Sequence, residues 1–174
     1  AIETATQEAA RQEFIRHHGL IDLLAEVVRP LVHQLIELDW ASADATVTVL
    51  GAALRGHTEV EVDGGSEAIR FVAARCDRGD DPVRFTHHKI GRPLSTAVHE
   101  STRQTHLRKE HLRGRRLQVL AYAASHDHKT TGRYLFADPE LDPAHAVIGV
   151  EAEQTGPGST FSQVSATLIR AYRQ

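Results

Sequence analysis

The sequence predicts an α+β domain, with a central antiparallel sheet flanked by helices and a long N-terminal helix. Three observations carry that expectation. Apolar residues recur at alternating spacings of three and four from Ile21 to Leu38. The period then shortens to two in the run Thr-Glu-Val-Glu-Val-Asp at 58–63, the alternation of a half-buried strand. The chain closes on a second amphipathic stretch, residues 161–173.

Residues 5–18 are rich in strong helix formers, with Thr4 and Thr6 available as caps. From Ile21 the positions Leu24, Val28, Leu31, Leu35 and Leu38 continue a heptad seam. Leu20, Leu23, Val27, Val32 and Ile36 widen it. A helix apolar over that much of its circumference needs two surfaces to pack against, so residues 1–40 are expected to form a dimerisation segment and 41–174 the α+β domain. Pro30 is expected to kink the helix or begin a new one, because it lacks an amide donor.

Strands are expected over 45–54, 58–63 and 68–74, with Gly64-Gly65 as a turn between them. Residues 76–82, including the one cysteine, Cys76, read as a polar loop. A helix is expected over 95–116, opened by Pro93 and broken near Gly114. A short apolar strand is expected at 117–124, and further strands at 134–137 and 146–153. Phe161, Val164, Leu168 and Tyr172 define the apolar face of the last helix, capped by Ser159 or Thr160.

Composition narrows the class. With 174 residues, 41% hydrophobic and 25% charged, the chain is an ordinary globular domain. It has no stretch long and apolar enough for a membrane span and no basic-then-apolar leader, so a cytoplasmic location and no membrane partner are expected. With no methionine at position 1, a start that is processed, trimmed or renumbered is expected. One cysteine excludes an internal disulfide and a multi-cysteine zinc site. The net charge of -3 is unevenly spread: residues 1–60 carry nine acids and four bases, whereas 103–116 carry six bases and one acid.

The order of elements resembles that of GAF sensory domains. Residues 20–38 running into 43–50 look like that family's opening helix and first strand, and Ile90-Gly91-Arg92-Pro93-Leu94 resembles the segment flanking its ligand pocket. Val147-Ile148-Gly149-Val150-Glu151 followed by Phe161-Ser162 resembles its last strand and final helix. The resemblance implies a small-molecule ligand near His87, His88 and Arg92. Cys76 precedes Asp77 rather than histidine, which speaks against bilin attachment, and one cysteine is too few for methionine sulfoxide reduction.

Several residues carry candidate chemistry of their own. His126-Asp127-His128 places two imidazoles on one face if extended, the spacing of paired metal ligands, with His87, His88, His99 or Asp138 as candidate thirds. The same pair with Tyr172 suggests a tyrosine-dependent nuclease, without other support. His87 and His88 are also candidates for a carboxylate, a phosphate or a haem iron. On a helix, Arg108, Lys109, Arg113, Arg115 and Arg116 would form a basic surface for anions or nucleic acid, made more basic below about pH 6.5 by His106 and His111. A solvated face is the plainer reading of such a run. No nucleophile elbow, phosphate-binding loop or dinucleotide fingerprint occurs.

The leading expectation is therefore a small-molecule-binding regulatory domain acting through a helical homodimer, with no cofactor assigned. Two alternatives stand beside it. One is a small metal-dependent enzyme built on His126 and His128. The other, less favoured, is a nucleic-acid-associated regulator using residues 103–116.

Overall fold

The computed structural model describes residues 2–12, 18–41, 48–78, 83–125, 130–151 and 159–174. Its order is α1 (Ile2–Gln12), α2 (His18–Ala41), β1 (Thr48–Val62), β2 (Gly65–Arg78), β3 (Val83–Ile90), α3 (Glu100–Leu112), α4 (Gln118–Ala123), β4 (Thr130–Ala137), α5 (Pro143–Ala146), β5 (Val147–Glu151) and α6 (Thr160–Arg173). The five strands form one sheet in sequence order.

The sheet is mixed rather than antiparallel. β1–β2, β2–β3 and β4–β5 pair antiparallel, but β3 and β4 are parallel. A parallel neighbour needs a crossover, and α3 and α4 supply it. β1 and β2 form a long hairpin. Its turn is Asp63-Gly64, with φ of 54° and 81°, one residue earlier than the Gly-Gly expected. β2 then runs on through Cys76 and Asp77, so the predicted polar loop begins later. Both side chains are buried.

The opening segment comprises α1 and a separate 24-residue α2. Pro30 does not end α2; it and Glu26, the residue whose carbonyl it leaves without a donor, both face solvent, where water can serve that oxygen. Leu35 and Leu38 pack on Leu135, Ala146 and Val147 across one face of the sheet. Leu20, Leu23, Val27 and Ile36 point outward.

The main core lies on the other face. The run at 117–124 is helix α4, not a strand, with Val119 to Ala123 all buried. A helix buried on every side has no amphipathic period to read. Gly132 in β4 makes this possible: a Cβ there would lie 2.0 Å from the Val119 carbonyl oxygen. Thr130 and Thr58 hydroxyls donate to the carbonyls of Ala123 and Ala124, satisfying the end of α4. Tyr122 joins Phe71 and Phe85, with ring centroids 4.9 and 5.9 Å away, and donates to the Val72 carbonyl.

α6 begins after Ser159, one of the two caps expected, and packs against α3 and β1. Its buried residues are Phe161, Ser165 and Ala166, whereas Tyr172 is 94% exposed. The predicted face is thus rotated. Arg170 and Arg173 fasten the helix to Asp63 and Glu67 at the hairpin tip. No helix among the described residues is long and apolar enough to cross a membrane.

Candidate functional site: two cavities flanking helix α3

β3 is a full strand ahead of Gly91, and its alternation decides what its histidines do. His87 faces α4, where Nδ1 lies 3.1 Å from the Tyr122 hydroxyl and the ring meets Tyr134 edge-on at 5.6 Å. His88 turns to the α2 face. The two therefore do not converge, and Arg92 stands exposed beyond the strand. Burial lowers the pKa of both histidines, leaving them neutral near pH 7.

His88 borders an ionic cluster beneath the C-terminal end of α2. Arg75, Thr86 and Arg133 are register partners across β2, β3 and β4, and Asp77 pairs with Arg84 in the adjoining row. Asp39 of α2 bridges them, accepting from Arg75 Nη1 and Arg133 Nη2 at 2.5 Å each. Arg75 Nε donates to Asp77 Oδ1 at 2.6 Å, and Arg133 Nε to the Thr86 hydroxyl at 2.9 Å. Asp77 is 1% exposed and Arg133 4%. An acid at a helix C-terminus opposes the helix dipole, and here two guanidinium groups offset it. The cluster latches α2 to the sheet. Sequence reasoning missed it because the alternation Arg84-x-Thr86-x-His88 carries information only once β3 is known to be a strand.

The basic segment is divided by α3. Arg108 faces one flank; Lys109 and Arg113, with Arg116 beyond the helix end, face the other. α3 stops at Leu112, and Gly114 takes a φ of 71°, the predicted break.

On the first flank is a cavity of about 530 Å³ between α3, α4, β5 and the start of α6. Leu107, Leu120 and Val150 give it apolar wall; Gln104, Thr105, Arg108, Ser159, Thr160 and Gln163 give it polar wall. Gln104 is fixed by donating to the Gly149 carbonyl at 3.0 Å. Ser159 caps α6 by accepting from Ser162 N, and the first-turn amides of that helix lack carbonyl partners within it. His111 completes the wall. It is 4% exposed, and its Nε2 has no hydrogen-bond partner. Burial pushes its pKa down to about 4, against weaker upward pulls from a hydrogen bond to the Arg116 backbone and from Glu110. His111 therefore cannot add charge to the basic surface near pH 6, contrary to expectation.

On the second flank a cavity of about 320 Å³ is lined by Pro93, Leu94, His106, Lys109, Glu110, Arg113 and Arg116. His106 Nδ1 lies 2.7 Å from the Ser95 hydroxyl. Glu110 is engaged by Arg113 at 2.9 Å and faces Arg115 at 4.0 Å. The Arg116 guanidinium sits over the rings of Tyr134 and Phe136, 5.9 and 5.7 Å from their centroids.

His126 and His128 lie outside the described residues. Among the described residues no group of three or more His, Cys, Asp or Glu side chains is placed to hold a metal. Tyr172, exposed at the end of α6, lines neither cavity.

No protein-family model matches this chain, and no curated protein sequence does either. Among solved structures, one described as "Crystal structure of SSO0001" is similar at 14% sequence identity and a TM-score of 0.47, over 99% of this chain and 68% of that one.

Proposed function

We propose that the chain is a cytoplasmic, small-molecule-binding regulatory domain whose ligand occupies the 530 Å³ cavity beside α3. The observation that carries this reading is His111: a buried imidazole in the cavity wall with an unsatisfied Nε2. Of the six buried side-chain N and O atoms without a hydrogen-bond partner among the described residues, His111 Nε2 belongs to the one residue that lines either cavity, where a ligand can serve it. A neutral imidazole bonded to the backbone through one side offers a lone pair at the other, so it accepts from a ligand N–H or O–H. The start of α6 and Arg108 favour negative charge. The ligand class is a small organic anion that also carries a hydrogen-bond donor, of a size usual for cavities of this volume.

The GAF-like order of elements supports a sensory role, while the parallel β3–β4 pair departs from that pattern. The outward stripe Leu20, Leu23, Val27 and Ile36 supports a second copy of the chain as the partner that receives the signal.

Native mass spectrometry of the full chain, purified without added ligand, tests the reading. A stoichiometric organic adduct is expected. Thr105→Trp, which fills the cavity from an exposed position, should abolish the adduct while leaving the fold intact. An adduct that survives this substitution, or none in the wild type across several expression hosts, counts against the assignment.

A further inference from the structure

We propose that the second cleft, bounded by Lys109, Arg113 and Arg116, binds a compact, multiply charged oxyanion of the phosphate class. It is separate from the cavity assigned above, so either assignment can fail alone.

Like charges gather around this cleft without enough acid to balance them. Lys89 and Arg116 both sit on the ring of Tyr134, at 5.8 and 5.9 Å from its centroid. Neither has a carboxylate partner among the described residues, and nor does Lys109. Glu110 is the one acid in the lining, and its oxygens already face Arg113 and Arg115. Cation–π contact holds the Arg116 guanidinium in place but leaves its N–H donors for a planar or tetrahedral oxyanion. Arg116 also adopts a φ of 55°, a conformation that costs a non-glycine residue energy and is kept where surrounding structure imposes it.

Shape and chemistry favour a compact anion over a nucleic-acid strand. The cleft, at about 320 Å³, is a pocket and not a track. The aromatic rings that could stack on bases, Tyr134 and Phe136, are turned into the core and buried. Arg108 serves the opposite flank of α3, and Arg115 faces Glu110, so the basic run does not present one continuous stripe to a phosphate backbone.

The test is calorimetric titration of the full chain with inorganic phosphate, pyrophosphate and tripolyphosphate at physiological salt. One-to-one binding that tightens with anion charge is expected. Lys109→Gln alone, at an exposed position, should weaken it roughly tenfold, and Lys109→Gln with Arg113→Gln further. Arg116→Gln should abolish it, while Arg55→Gln, at an exposed arginine of β1 that lines neither cavity, should leave it unchanged. The proposal is overturned if no one-to-one binding occurs at millimolar anion. It is overturned equally if Arg55→Gln weakens binding as much as Lys109→Gln. A single-stranded oligonucleotide that binds more tightly, with affinity rising along its length, would replace it with an extended nucleic-acid surface.

Discussion

The backbone of Arg116 lies beside the imidazole of His111 and pulls its pKa upward against the larger effect of burial, so the wall of one cavity and the principal cation of the other meet at one point of the chain. The join falls where the chain takes a φ of 55° after leaving α3.

The pH dependence of folding should report on His111. Below the ordinary histidine value of 6.5 the unfolded chain binds a proton that the folded His111 refuses until about pH 4. Stability thus falls as pH drops through this window, and the His111 contribution stops changing below it. From pH 7 to pH 5 its share is about 2 kcal/mol. Urea unfolding at the two pH values should show His111→Asn losing less stability than the wild type by about that amount. Burial of His87 and His88 acts in the same direction, so some slope remains in the variant.

Gly132→Ala should be among the most damaging single substitutions. Its Cβ would meet the backbone of Val119 at 2.0 Å, and a helix backbone cannot rotate aside as a side chain can. We expect a loss of about 3 kcal/mol or more, read as a drop in the thermal midpoint.

The ionic latch under α2 predicts a non-additive pair. Asp39→Asn leaves Arg75 and Arg133 without their shared carboxylate, and Arg133→Met leaves Asp39 with one partner fewer. Breaking a buried pair from one side costs roughly 3–5 kcal/mol. The double variant should cost clearly less than the sum of the singles, measured by a double-mutant cycle in denaturant.

The outward stripe of α2 predicts the oligomeric state. Light scattering at micromolar concentration should give twice the chain mass. Leu23→Asp and Val27→Asp should each give the monomer with unchanged circular dichroism, since both side chains already face outward. A wild-type monomer would remove the dimer from the functional reading.

Periodicity and turn chemistry in the sequence were enough to mark helix over residues 20–38, a hairpin turn beside Gly64, the break at Gly114 and a cap at Ser159 or Thr160, because each depends on local backbone preference or on one face meeting water. They did not separate α1 from α2 or join the strands expected over 45–54 and 58–63 into the single β1. Elements without such a signal were not legible. α4 is buried all round, and β3 alternates between two packed faces, so neither shows the contrast of apolar and polar on which pattern reading rests. The parallel pairing of β3 and β4 likewise follows from where the crossover helices pack.

The candidate site divides in the same way. The one-dimensional pattern identified the basic run at 103–116, including His111 and Arg116. Only the tertiary structure decided that α3 splits this run between two cavities, that His111 is buried and Arg116 held over two rings, and that His87 and His88 part company. Charge is a property of a residue, but its pKa, its partners and the face it serves depend on neighbours brought together from distant parts of the chain.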